Sequence, residues 1–155
     1  GVDMHDYTQP PVNESGGGGL VSTTMDYARF SQMLVNGGEL NGVRILSPAS
    51  VELMGTNAIP KDVLVNSNGT SAAAFNEAVG FGLDFRVVND ARTAGLLVGD
   101  GEISWGGAAG TWFWVDPEND LIFVGMIQRM GGTGGDDLGT MARTLTYQAL
   151  VDPEK

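Results

Sequence analysis

The sequence predicts an α+β fold, an antiparallel sheet with helices on its faces. Residues 102–128 hold three strand-like runs separated by short turns. Segments before and after them carry apolar residues at helical spacing, so the strands are followed by a closing helix.

Taken in order, residues 1–14 contain Pro10-Pro11 and no periodicity, and read as an extended lead-in. Ser15-Gly16-Gly17-Gly18-Gly19 comes next. Its spacing fits neither G-x-G-x-x-G nor G-x-x-x-x-G-K-[ST], because Val21 and Ser22 fall where glycine is needed and no lysine follows. A flexible or closely packed backbone segment is expected there rather than a phosphate-binding loop.

A first helix opens at Thr23, an N-cap, with Asp26 three residues on to complete a capping box. Tyr27, Phe30, Met33 and Leu34 form its predicted buried stripe. Asn36-Gly37-Gly38 ends it in the left-handed conformation that glycine tolerates. Leu40-Asn41-Gly42-Val43 predicts a two-residue hairpin. Ser47-Pro48 starts a short helix, with Val51 and Met54 inward and Gly55 as its stop.

Residues 57–78 are the least structured by pattern, with a polar surface loop at Asn66–Ser71. Val79, Phe81, Leu83, Phe85 and Val87 alternate with Gly80, Gly82, Asp84 and Arg86, which predicts one strand with one apolar face. Residues 89–101 form a polar excursion. Three strands then follow at Glu102–Gly107, Thr111–Val115 and Leu121–Ile127, the last two joined by a tight turn through Asp116–Asp120. Runs this apolar on both alternating faces are expected to be buried on both sides. Asp136-Asp137 begin a final helix with an apolar stripe of Leu138, Met141, Leu145 and Ala149, ending near Asp152-Pro153.

The charge balance narrows the partners. Eight Lys+Arg against 19 Asp+Glu give a net charge of −11, which argues against nucleic acid or an anionic membrane surface. No run is long and apolar enough to span a membrane. With no cysteine there is neither a disulfide nor a thiol nucleophile, and with one histidine, His5, a histidine-based metal site is not expected. No metal and no cofactor is implied. Asn13-Glu14-Ser15 and Asn68-Gly69-Thr70 match the glycosylation sequon, a pattern frequent by chance.

Gly106, Gly107 and Gly110 sit at a strand end and the turn after it. One reading is a glycine-rich hairpin. The other is a backbone that a ligand must approach closely, with main-chain N–H groups aimed at it. The residues alone leave both open. Catalytic constellations are incomplete. No serine has a lysine three residues later, and none stands in G-x-S-x-G. A Ser-His-Asp triad would need His5, in the lead-in. Carboxylate pairs such as Asp136 and Asp137 are explained by helix capping.

Two long blocks nevertheless resemble a known family. The first runs from Ser15 to Thr23, through Asp26-Tyr27-Ala28-Arg29-Phe30, to Asn36–Pro48. The second is Trp105-Gly106-Gly107-Ala108-Ala109-Gly110-Thr111-Trp112-Phe113-Trp114-Val115-Asp116-Pro117. Together they look like the C-terminal part of the serine hydrolases that include class C β-lactamases and their esterase relatives. The likeness covers about Pro11 to Leu150. It implies the C-terminal portion of the β-lactamase/transpeptidase-like fold, so that residues 1–155 form a single partial domain.

Members of that family use a serine in S-x-x-K, a tyrosine in Y-x-N or a similar motif, and a third motif on a sheet strand. The third motif is K-T-G in β-lactamases and often H-x-G or W-G-G in esterases. Trp105-Gly106-Gly107 matches it. The first two motifs are not in this chain. By resemblance, the Ala108 N–H supplies half of an oxyanion hole, and the glycines let an acyl carbonyl approach. Tryptophan in place of lysine offers an apolar wall rather than a partner for a carboxylate. The resemblance therefore implies carboxylesterase-like hydrolysis of a small-molecule ester through an acyl-enzyme, with this chain inactive alone. A β-lactamase or peptidase acting on a β-lactam-like substrate, and a non-catalytic scaffold reusing the fold, are the alternatives. An independent enzyme with an unrecognised site in these residues is the least favoured.

A sheet lacking its neighbouring strands exposes an edge and a face. The chain is therefore expected to associate with itself or with the missing N-terminal half. Light scattering checks this: a dilute, cooperatively unfolding monomer would contradict it.

Overall fold

The first two helices start and stop where the capping residues put them. The computed structural model describes residues 8–10, 20–60, 63, 75–129 and 134–151, with backbone only for 134–137. Helix α1 (Thr24–Val35) begins as expected: Thr23 Oγ1 accepts the Asp26 N–H at 3.1 Å and donates to the Asp26 carboxylate at 2.9 Å. It ends in a Schellman arrangement, in which the Gly38 N–H donates to Met33 O at 2.8 Å and the Gly37 N–H to Leu34 O at 3.0 Å. Strands β1 (Glu39–Leu40) and β2 (Val43–Arg44) form the expected hairpin. Asn41 at φ +53° and Gly42 at φ +78° have the positive angles that a type I′ turn requires. Helix α2 (Pro48–Met54) starts on Ser47 Oγ, which accepts the Ser50 N–H at 3.1 Å.

The main sheet has five antiparallel strands, β3 (Val79–Phe81), β4 (Arg86–Val88), β5 (Ile103–Gly106), β6 (Trp112–Asp116) and β7 (Leu121–Gly125), in sequence order. The single strand expected over residues 79–87 is therefore two. The Gly82 N–H donates to Phe85 O at 2.8 Å, Asp84 turns to φ +69°, and Leu83 is exposed. The alternation misled because apolar residues keep a period of two straight through a four-residue turn. Gly82 marked it: a Cβ there would lie 2.1 Å from Met54 O. The excursion after β4 also holds one short helix, α3 (Ala91–Ala94), capped by Asp90.

Alternation then sorts the sheet into two faces. Val87, Ile103, Phe113 and Val115 point one way and build the core with Phe85 and with Met33 and Leu34 of α1. Ile122, Val124, Leu40, Leu46, Val51 and Met54 pack around them. Phe30 of the expected stripe lies at the rim, 36% exposed, and buried Ser31 donates instead to Tyr27 O at 3.0 Å.

The other face carries Arg86, Glu102, Ser104, Trp112, Trp114 and Asp116. Helix α4 (Gly134–Gln148) covers it, with Arg143 bonded to Glu102 and Tyr147 to Asp116. This overturns the stripe expected for the last helix. Leu138, Met141 and Leu145 are 45%, 58% and 63% exposed, and Ala149 is exposed just beyond the helix end. Arg143 and Tyr147 lie four residues apart and share one face. Turning that face to the sheet rotates the apolar stripe outward. The helix also starts two residues before Asp136, whose capping role lies outside the described side chains, as do the Gly16–Gly19 run, His5, Asn13 and the Asn66–Ser71 loop.

Two glycines with positive φ separate conformation from space. Gly38 is at φ +95° and a Cβ there would lie 2.2 Å from Leu46 O, whereas Gly42 is at φ +78° with nothing within 4 Å. Gly42→Ala should cost about 1–2 kcal/mol for backbone strain alone. Gly38→Ala should cost clearly more, read by urea unfolding of the two variants.

Candidate active site

Strand β5 ends at the motif singled out in the sequence. Trp105 stands opposite Phe113 on β6 and edge-on to Phe81, with ring centroids 5.1 Å apart, yet is 49% exposed. Gly106 pairs with Trp112, and the Gly107 N–H donates to Thr111 O at 2.7 Å, which closes the β5–β6 hairpin. Ala108 and Ala109 form the tip, held by a Gly110 N–H bond to Gly107 O at 2.9 Å. Gly110 has two reasons to lack a side chain: φ +85°, and a Cβ that would meet Ile127 Cγ1 at 2.8 Å.

The hairpin reading thus accounts for Gly107 and Gly110. It does not account for Ala108. That residue is exposed, and its N–H makes no hydrogen bond with any described residue. The residues just before it, Trp105, Gly106 and Gly107, line a cavity of about 170 Å³ together with Tyr27, Thr111 and Met126 among others. Its walls are mostly apolar.

Tyr27 is the residue that pattern reading missed. Its place in the α1 stripe marked it as core, and its ring does meet Phe113 edge-on at 5.0 Å. Its hydroxyl, however, bonds to no described residue, and burial raises its pKa above the ordinary tyrosine value. It is a neutral donor beside the motif. A polar tip within an apolar stripe was the available signal. Ser104, one residue before the motif, is buried on the opposite face of β5 and accepts from Arg86 Nη1 at 3.5 Å.

Under the motif strand lies an ionic network. Glu102 is fully buried. Arg143 Nη1 donates to its Oε1 at 3.1 Å and lies 2.9 Å from Oε2, and Arg86 Nη1 is 3.6 Å from Oε1. The Arg143 guanidinium also sits over the Trp114 ring, 5.0 Å from its centroid. Burial pushes Glu102 above the ordinary glutamate range, more than Arg143 and Arg86 pull it back. Beyond it, Asp116 accepts from the Gly99 N–H at 2.8 Å, the Asn119 side chain at 2.9 Å and the Tyr147 hydroxyl at 2.5 Å. Burial and that bond to a carboxylate raise the Tyr147 pKa far above normal.

Comparison with known proteins places this geometry in a family. A sequence profile described as Beta-lactamase matches residues 2–148. The chain belongs to the beta-lactamase family, which accords with the mixed helix and antiparallel sheet architecture. It is 42% identical over 125 residues to Protein Rv1367c of Mycobacterium tuberculosis (strain ATCC 25618 / H37Rv), a match covering 79% of this chain and 31% of that protein. The chain thus spans about a third of that relative's length. Two solved structures share the fold. One is EstCE1, described as a hydrolase with promiscuous acyltransferase activity (TM-score 0.62, 23% identity, 80% of this chain and 29% of that one). The other is the simvastatin synthase LovD from Aspergillus terreus (TM-score 0.62, 17% identity, 81% and 33%).

The network predicts two stability effects. Arg143→Met leaves the buried carboxylate with only the longer Arg86 contact and should cost about 3–5 kcal/mol, with Glu102→Gln in the same chain recovering part of it. Urea unfolding of the single and double variants measures both. Because the folded pKa of Glu102 lies above its ordinary 4.5, its contribution is full below that value and is lost as pH rises through the folded pKa. The Tm of the wild type minus that of Glu102→Gln should therefore fall with rising pH.

Proposed function

We propose that Trp105, Gly106, Gly107 and Ala108 form the third active-site element of a serine ester hydrolase. The observation that carries this reading is the exposed Ala108 N–H, unbonded within the described residues, one residue beyond Gly107 in the wall of the apolar cavity. A serine supplied by the rest of the whole protein attacks the ester carbonyl. The oxygen gains charge as the tetrahedral intermediate forms. The Ala108 N–H and the nucleophile's own N–H donate to it, and such a donor is worth roughly 2.7–4 kcal/mol in another enzyme. Gly106 and Gly107 present no side chain to the arriving acyl group.

Trp105 favours esters over β-lactams and peptides. A lysine at the first position of the motif would pair with a substrate carboxylate, whereas a half-exposed indole offers area and no positive charge. The small cavity and the apolar Met126 and Tyr27 ring suit an acyl group of small or medium size. Acyl transfer to an alcohol uses the same acyl-enzyme with a different acceptor. The description of EstCE1 as a hydrolase with promiscuous acyltransferase activity supports that class of chemistry. A β-lactamase or peptidase, and a scaffold without a nucleophile, remain the competing readings.

Fluorophosphonate labelling with intact-mass readout tests the proposal. The 155-residue chain alone should take no adduct, and a longer protein supplying S-x-x-K upstream should take one. In that longer protein Ala108→Pro, which deletes the N–H, should lower kcat on a p-nitrophenyl ester by about 100- to 1,000-fold. An adduct on a serine of this chain would refute the mechanism. An upstream region without S-x-x-K would favour the scaffold.

A further inference from the structure

A second and larger cavity, about 550 Å³, lies between α4 and the sheet. That volume is within the range of small-molecule sites, roughly 300–1,000 Å³. Its polar wall is cationic. Arg86 and Arg143 both line it, together with the hydroxyl residues Ser104, Thr140 and Thr144, while the Glu102 that pairs with both arginines does not. Glu102 sits behind them, fully buried.

The two guanidiniums are not equally engaged. Arg143 is committed to Glu102 and to the Trp114 ring. Arg86 is not. Its side chain is 27% exposed and its nearest polar partners are Glu102 Oε1 at 3.6 Å and Ser104 Oγ at 3.5 Å, both at the outer limit of a useful contact. A guanidinium has five N–H donors in a planar fork that matches a carboxylate. Among the described residues, most of those donors have no acceptor at bonding distance. Burial lowers the Arg86 pKa more than Glu102 raises it, and the nearby positive charge of Arg143 lowers it further, so a second anion would offset that repulsion.

The remaining wall is apolar, with Leu96, Leu97 and the Trp112 ring. Leu97 is 62% exposed, a large apolar side chain left in water beside the cations. Charge at one end and aliphatic surface at the other select an amphiphilic anion. We propose that this cavity binds a small aliphatic carboxylate, its head on the Arg86 fork and its chain along Leu96 and Leu97. This inference does not depend on hydrolysis, and its readout is binding alone.

Isothermal titration of the 155-residue chain with hexanoate, and with hexanamide as its neutral counterpart, tests it. Hexanoate should bind, and hexanamide should bind about tenfold more weakly or worse, the loss expected when a charge-assisted bond is removed. Arg86→Gln should weaken hexanoate by a similar factor, about tenfold, while leaving the Arg143–Glu102 pair intact. Should that variant fold poorly, amide chemical-shift changes on the wild-type chain decide instead. They should fall on Leu96, Leu97, Thr140 and Thr144. No binding of hexanoate, equal binding of the amide, indifference to Arg86→Gln, or shifts centred on Tyr27 and Met126 would each overturn the proposal.

Discussion

The burial of Glu102 is the constraint on which the arrangement depends. A carboxylate without solvent contact must be paired, and its main partner, Arg143, comes from a helix 41 positions further along the chain. That pairing fixes the rotation of α4 about its own axis. It also brings Tyr147 onto Asp116, and it lays the guanidinium on Trp114, itself stacked on Phe123 with centroids 4.1 Å apart. One face of the sheet is thus held by charge and aromatic stacking. The other is held by burial of aliphatic and aromatic side chains under α1. The two faces meet at β5, where Glu102, Ile103, Ser104 and Trp105 alternate between them.

Local chemistry was legible. Thr23, Ser47 and the Asn41-Gly42 turn each act through neighbours a few residues away, so capping and turn rules recovered them. The β5–β7 strands were legible because β-branched and aromatic residues run together between turn residues. The rest depended on contacts distant in sequence. Nothing near Leu138, Met141 and Leu145 says that Arg143 and Tyr147 will take the sheet-facing side, because the reason is Glu102 and Asp116. The false continuity of Val79–Val87 has the opposite cause: a local pattern persisted through a turn whose closure shows only in the hydrogen bond from Gly82 to Phe85.

The candidate site divides the same way. The Trp105–Gly107 motif was found through its resemblance to a family, and the structure sets it at an exposed strand end beside a cavity. The contribution of Tyr27 was not legible, because a residue on a helix 78 positions away cannot be assigned to a strand end from spacing. Nor was the cationic wall on the other side of the sheet. Arg86 read as the polar half of an alternating strand, and Arg143 as a residue outside the apolar stripe. Three-dimensional proximity alone makes them a pair.

The strand order has a further consequence. Each strand of the main sheet pairs with its immediate neighbour in sequence, so its pairings are local, the widest connection being the excursion through α3 between β4 and β5. The docking of the helices is different, since α1 packs on β6 and β7 and α4 joins β5 to the far end of the chain. The topology therefore separates a locally paired sheet from helices that clasp it across long stretches of chain.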